Sequence, residues 1–252
     1  MSQYNQFMLD FYHYCGIDLR RYKRQQMERR LTTLMQRLEY SSFPEFFNAI
    51  QNNDGVLRAV MDKLTINVSE FFRNPDRWDS LTDLLTAQSG TIRAWSAACS
   101  TGEEPYTLAI LLEDKISRPY HITATDLDEN ALAAAKLGIY KSHQMKCVPE
   151  HYLNDYFSEK DSTWQISNRY KRHIEFSRHN LLADPYPRNQ DLVICRNVLI
   201  YFTDEAKAHV LSEFSKALKF GGYLFVGSTE QIFSPQTYGF KIVRPFIYQK
   251  ID

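Results

Sequence analysis

The spacing of apolar positions changes near residue 90. Before that point it is helical. Met27, Leu31, Leu34, Met35 and Leu38 fall at i, i+4, i+7, i+8 and i+11, one face of an amphipathic helix. Ser42-Phe43-Pro44-Glu45 has the form of a helix start, followed by Phe46, Phe47 and Ile50. Asn52-Asn53-Asp54-Gly55 predicts a turn, Val56–Leu64 a further short helix, and Asn74-Pro75-Asp76 a helix entry toward Trp78, Leu81 and Leu84. From Thr91 onward, short β-type runs alternate with helical ones. The predicted strands are Ile92–Ala97, His121–Thr125, Ile174–Ser177, Leu192–Cys195 and Tyr223–Gly227. The predicted helices are Tyr106–Ser117, Glu129–Leu137 and Asp204–Leu218, the last with Thr203 as N-cap and Gly221-Gly222 as its stop. Such alternation implies a parallel sheet covered by helices on both faces. Phe240–Val243 and Phe246–Gln249, flanking Arg244-Pro245, predict an antiparallel pair at the sheet's edge.

Lys141–Arg172 breaks the alternation. It is polar, offers one weak strand at Trp164–Ser167, and exceeds the usual length of a connection in a compact domain. It reads as an inserted subdomain or an elaborated loop. The expected organisation is a helical domain with linker over residues 1–80 and an α/β domain over 81–252, with an insertion at about 141–172.

Composition narrows the class. A chain of 252 residues with 44% hydrophobic and 24% charged residues can bury a sizeable core. The formal net charge is zero, so no nucleic-acid partner is expected of the chain as a whole. No apolar run approaches the roughly 18 residues of a membrane span, and the start lacks a signal pattern, so a cytoplasmic location is expected. Cys15, Cys99, Cys147 and Cys195 are scattered, without disulfide-framework or metal-ligand spacing, and read as free thiols in a reducing compartment.

The chemistry concentrates at one turn. Ile92–Ala97 runs into Ser100-Thr101-Gly102-Glu103-Glu104-Pro105, and Pro105 suits the first turn of a helix. The next strand ends on Asp126, where an acid in a Rossmann-like unit holds a ribose. A dinucleotide site would place phosphate at that helix start. Two carboxylates there oppose it, since like charges about 4 Å apart cost on the order of 4 kcal/mol at an effective dielectric near 20. The pocket suits a ligand with a ribose and a cationic group but no phosphate. S-adenosylmethionine, with its ammonium and sulfonium, fits.

Six segments, in order, resemble the chemotaxis receptor methyltransferases of the CheR family. They are Asn67-Val68-Ser69-Glu70-Phe71-Phe72-Arg73-Asn74, Trp95–Tyr106, Ala124-Thr125-Asp126-Leu127-Asp128, His179-Asn180-Leu181-Leu182, Cys195–Phe202 and Gly227-Ser228-Thr229-Glu230. The resemblance implies a small all-helical N-terminal domain and a Rossmann-like methyltransferase sheet with a small inserted segment. It also implies methyl transfer from S-adenosylmethionine to glutamate side chains of chemoreceptors, giving methyl esters and S-adenosylhomocysteine in chemotactic adaptation. Carried over by motif, the cofactor contacts are Asn67, Ser69, Arg73, Glu103, Asp126, Asn180, Leu181, Asn197 and Val198. Ser69 stands where many relatives have Thr and keeps the hydroxyl. Lys141–Arg172 is shorter than in relatives that dock on a receptor's C-terminal peptide, which speaks against such docking.

A carboxylate acceptor has an unperturbed pKa of about 4.3 and is ionised at neutral pH. No general base is needed, and none of the seven histidines is assigned to catalysis. Glu104 reads as a local cap, and Tyr201 as a candidate for the reaction centre or an equally good core residue. The stretch 20–37 holds Arg20, Arg21, Lys23, Arg24, Arg29, Arg30 and Arg37 against Glu28 alone. It reads either as a solvated face or as a docking surface for acidic receptor helices, with Arg20, Arg24 and Arg30 as candidate contacts and a nucleic-acid partner as the competing reading. Two rivals remain at the level of sequence. One is a methyltransferase for RNA or a small molecule, although the Asn-Pro-Pro-Tyr type of signature for base amino methylation is absent. The other is a cofactor-binding signalling module without catalysis.

Overall fold

The computed structural model describes residues 2–65 and 69–252. Two compact units emerge, Met1–Ile66 with Tyr201–Val210, and Asn67–Ile200 with Leu211–Asp252.

The first unit is helical, with α1 (Gln3–Cys15), α2 (Arg24–Arg37), α3 (Phe43–Asn52) and α4 (Asp54–Thr65). Ser2 caps α1 by accepting from the Asn5 N–H, and Gly16 ends it at φ +75°. Ser42 caps α3, and Glu45 reaches back to the Ser41 N–H at 2.8 Å. The periodicity of α2 holds, because Met27, Leu31, Leu34 and Met35 are all buried. Phe7 and Phe11 of α1 stack on one another, and Phe7 also meets Phe43 and Phe46 of α3 with ring centroids 5.1 and 6.0 Å apart. The Asn52–Gly55 turn is tighter than the sequence suggests. Asn53 Oδ1 accepts from the Gly55 N–H at 2.8 Å, so α4 begins at Asp54 rather than Val56.

The second unit contains α5 (Pro75–Thr86), β1 (Ile92–Ala97), α6 (Glu103–Leu111), β2 (Tyr120–Asp126), α7 (Glu129–Leu137), β3 (Ile139–Lys141) and α8 (Glu150–Tyr156). It continues with β4 (Phe157–Lys160), β5 (Thr163–Ile166), α9 (Asn168–Lys171), β6 (Ile174–Arg178) and β7 (Gln190–Cys195). Helix α10 (Asp204–Ala217) crosses the division between units, and β8 (Leu218–Val226), β9 (Phe240–Arg244) and β10 (Ile247–Lys250) complete the chain. Residues 69–80, read from sequence with the helical domain, fall in this unit.

The main sheet has seven strands in the order β6-β2-β1-β7-β8-β10-β9. The first five are parallel neighbours, and β10 and β9 run antiparallel. The predicted tail pair is thus present, with β9 at the edge. Strand order reverses between β1 and β7, and the carboxyl ends of strands at such a switch point form a ligand crevice. Ile92, Ala94, Trp95, Leu192, Val193 and Ile194 are buried in the middle of this sheet. The inserted stretch carries its own antiparallel sheet, β3-β5-β4.

Gly221-Gly222 is not a helix stop. Both residues lie inside β8. Gly221 has φ +77°, and a Cβ on Gly222 would sit 3.0 to 3.2 Å from the carbonyl oxygens of Lys219, Gln190 and Asp191. The pair accommodates the register shift between β7 and β8 at Gln190/Leu192.

Candidate active site

Three segments of the second unit meet at a cleft at the carboxyl ends of β1 and β7. Ser69, Glu70 and Arg73 form one wall, Ala98, Cys99, Ser100 and Glu104 the floor, and Arg196 and Asn197 the other wall.

The first wall is anchored by the aromatic pair between its polar residues. Phe71 and Phe72 are buried. Phe71 meets Tyr140 edge-on with centroids 4.8 Å apart, and Phe72 stacks on Tyr152 at 5.3 Å. The Phe72 N–H donates to Thr107 Oγ1 at 3.1 Å. Burying the two phenyl groups turns Ser69, Glu70 and Arg73 toward the cleft.

The floor is a strand–turn–helix. Ala98 and Ser100 have φ values of +67° and +50°, and Gly102 has +93°. Asp126 stitches the turn to β2, its Oδ2 accepting from the Ser100 N–H at 2.7 Å and its Oδ1 from the Asp128 N–H at 2.9 Å. Burial pushes the Asp126 pKa up, while these backbone donors pull it down. The Leu127 N–H is a third backbone donor to the same carboxylate, and an ionised carboxylate offers about four acceptor positions, so some acceptor capacity remains.

The neighbouring glutamates differ. Glu103 is fully buried, and its oxygens accept from Thr101 Oγ1 at 2.6 Å and Gln144 Nε2 at 2.9 Å. It does not line the cleft; Glu104 does. Glu104 Oε1 accepts from Ser96 Oγ at 2.7 Å. Burial pushes its pKa up to about 7, opposed by Arg196, the Ser96 bond and Arg73. By sequence Glu104 reads as a local cap and Arg196 has no assigned role. The Arg196 guanidinium is buried, lies 4.7 Å from the Phe225 ring centroid, and donates from Nη2 to the Arg73 carbonyl at 2.8 Å and Asn74 Oδ1 at 2.9 Å. Its Nε is buried with no partner among the described residues. The one available signal was an arginine directly after an apolar strand, a position from which a buried charge must find partners.

On the second wall Asn197 sits at φ +63°, and its N–H and that of Val198 donate to Glu230 at 2.6 and 2.8 Å. Asn180 and Leu181 lie beyond β6 and not on the cleft lining. Asn180 Oδ1 accepts from the Leu182 N–H at 2.9 Å, and the Leu181 carbonyl accepts from Tyr186 Oη at 2.7 Å. Asn67 lies outside the described residues. Tyr201 belongs to the first unit, where its ring lies under the Arg30 guanidinium at 4.8 Å. In that unit Arg20 makes two bonds to Asp18, at 2.7 and 2.9 Å, and Arg24 one to Glu28 at 3.2 Å. Of the cysteines, Cys99 and Cys195 are buried, Cys15 is partly buried, and Cys147 is exposed with its thiol on Glu70 Oε1 at 2.7 Å.

Comparison with known proteins supplies the family. Residues 2–65 match the model of the CheR methyltransferase all-alpha domain, and residues 67–245 that of the CheR methyltransferase SAM binding domain. A chemotaxis protein methyltransferase of Listeria monocytogenes is 44% identical over 241 residues, covering 93% of this chain and 92% of that protein. One from Escherichia coli is 33% identical over 230 residues, covering 87% and 80%. Chemotaxis protein methyltransferase 1 of Pseudomonas aeruginosa is 36% identical over 236 residues, covering 86% of each. With both domain models matched in order and relatives aligned along most of its length, the chain belongs to the CheR methyltransferase family and uses S-adenosylmethionine as its cofactor.

Proposed function

We propose that the protein transfers a methyl group from S-adenosylmethionine to glutamate side chains of chemoreceptors, forming glutamate methyl esters and S-adenosylhomocysteine in chemotactic adaptation. The observation that carries this is whole-length similarity to proteins named chemotaxis protein methyltransferase, joined to a cleft whose lining holds no histidine. Burial raises the Cys99 thiol pKa, so this thiol stays protonated. An acceptor that arrives already ionised needs no base in the cleft.

The cleft's donor set fits the cofactor. Glu104 is a carboxylate partly starved of solvation, suited to an ammonium. Arg73 and Arg196 are cations suited to a carboxylate. In this assignment Glu104 takes the ammonium, Arg73 the methionyl carboxylate, and Asp126 the ribose hydroxyls through its remaining acceptor capacity. Ser69, Asn197 and Val198 flank the same cofactor, with Asn67, Asn180 and Leu181 as further contacts. Glu103 then supports the turn and does not touch the ligand. When bound, the cofactor supplies an electrophilic methyl on a sulfonium. The chain's residues orient the acceptor oxygen, methyl carbon and sulfur in line and keep water out, an effect that can lower a barrier by roughly 7–11 kcal/mol.

The receptor would be met by the basic run around α2. Arg20, Arg24 and Arg30 are engaged by Asp18, Glu28 and Tyr201. Arg29 and Arg37 are exposed and have no ion pair among the described residues. Arg29 lies beside a shallow groove along α2, with Thr32, Thr33 and Gln36. Acidic receptor helices are the partners this charge suits.

The test uses methyl-labelled cofactor and receptor-containing membranes. Label on receptor glutamate that leaves as methanol in mild alkali is expected. Alkali-stable label would show transfer to nitrogen and overturn the ester assignment.

A further inference from the structure

The turn after β8, Gly227-Ser228-Thr229-Glu230, has no role in the assignment above, yet it touches both walls of the cleft. Glu230 is buried, and its carboxylate is spent on backbone. Oε2 accepts from the N–H groups of Asn197 at 2.6 Å and Gly227 at 2.8 Å. Oε1 accepts from Val198 at 2.8 Å and, more weakly, Ile200 at 3.4 Å. Asn197 needs such support because a non-glycine residue at positive φ persists only where its surroundings over-determine it. Gly227 is needed for the approach itself. A Cβ there would lie 2.5 Å from Glu230 Oε2 and 2.9 Å from the Asn197 nitrogen. On the other side Ser228 Oγ donates to Asn74 Oδ1 at 3.2 Å, and that oxygen also receives Arg196 Nη2, which holds the Arg73 carbonyl.

We propose that Glu230 is a positioning residue of the cofactor site, fixing the Asn197–Val198 wall, while Ser228 joins the same turn to the Arg73 wall. The proposal rests on the reading of this cleft as the cofactor site. Glu230 touches no reacting atom. It acts by holding backbone amides that would otherwise be buried without acceptors.

Glu230→Gln keeps the shape but replaces one acceptor oxygen by an NH2 group that faces backbone N–H donors. Its affinity for S-adenosylhomocysteine, measured by calorimetry, is expected to fall about tenfold or more. The cofactor KM in receptor methylation should rise in parallel, with kcat at saturating cofactor within about threefold of wild type. A merely structural role would lower the active fraction, and so kcat, without moving KM. Unchanged affinity and KM, whatever happens to kcat, overturn the proposal. Should Glu230→Gln fail to fold, Ser228→Ala, which removes an exposed hydroxyl, decides. A rise in cofactor KM of roughly two- to fivefold supports the clamp, and an unchanged KM overturns it. Glu104→Gln separates the two readings. If it leaves affinity intact, the cleft assignment fails and the proposal with it. If it weakens binding while Glu230→Gln does not, only the proposal fails.

Discussion

In the proposed assignment, Glu104 couples cofactor binding to pH. Its neighbours are Ser96 on β1, Arg73 and Arg196 on the walls, Glu230 beyond β8, and the buried thiols Cys99 and Cys195. Burial raises its pKa from the ordinary 4.5 to about 7. An ammonium favours the ionised form. Affinity for S-adenosylhomocysteine should therefore be flat above about pH 7 and fall below it, by at most about tenfold per pH unit. Glu104→Gln should bind roughly 10- to 150-fold more weakly at pH 8 and lose the acid limb. Calorimetry from pH 5.5 to 8.5 tests both, and a wild-type affinity unchanged at pH 5.5 would remove Glu104 from the ammonium. The stability of the ligand-free protein has the opposite sign. The folded pKa lies above the unfolded one, so stability is lost as pH rises from 4.5 to about 7, by about 3 kcal/mol at most. Glu104→Gln should accordingly melt higher than wild type at pH 8, with the difference shrinking toward pH 5.

The element that builds the floor is the turn between β1 and α6. Its backbone leaves the strand through left-handed residues, and Gly102 brings the start of α6 against α7. A Cβ on Gly102 would lie 2.9 Å from Ala135 Cβ and 3.2 Å from Tyr140 Oη. Gly90 also has positive φ, at +80°, but nothing lies within 4 Å of its added Cβ. The two glycines separate backbone strain from crowding. Gly90→Ala should cost about 1 kcal/mol through φ alone. Gly102→Ala adds overpacking and should cost about 2–4 kcal/mol. Urea titrations read both values. A Gly102→Ala variant no less stable than Gly90→Ala would show that α6 and α7 can separate freely at this point.

Across the whole molecule charge is uneven though the sum is zero. The basic run at 20–37 lies in the helical unit, while the cleft belongs to the sheet unit. Partner recognition and cofactor binding should therefore respond to different substitutions. Reversing Arg29 and Arg37 to Glu is expected to raise the apparent KM for receptor by roughly threefold or more at low salt and to leave cofactor affinity unchanged. The effect should shrink at about 0.5 M salt, where exposed charges are screened. Receptor-methylation titrations at two salt concentrations, with a thermal melt to check folding, measure it. A folded variant with wild-type KM at low salt would make this helix a solvated face and nothing more.

Local patterns in the chain determined helices α2 to α7 and α10, every strand of the main sheet, the position of Asp126 and the family, because these depend on neighbours a few residues apart. Met27, Leu31, Leu34 and Met35 line one buried face through spacing alone. The tertiary structure decided which side chains converge. Glu103 and Glu104 are equivalent as adjacent acids at a helix start. Gln144, 41 residues away, engages Glu103, and Glu104 is left on the cleft. Gly221-Gly222 looked like a helix stop until the register of β7 against β8 placed it in a strand. Arg20 and Arg24 are candidate receptor contacts by sequence, and in the fold they are engaged by Asp18 and Glu28. Arg196 reaches the Arg73 carbonyl across 123 residues, and Glu230 reaches Asn197 across 33. The physical reason is the same in each case. Propensity and periodicity act over a turn of helix or a pair of strand residues, whereas a buried charge must find its partners wherever the fold brings them.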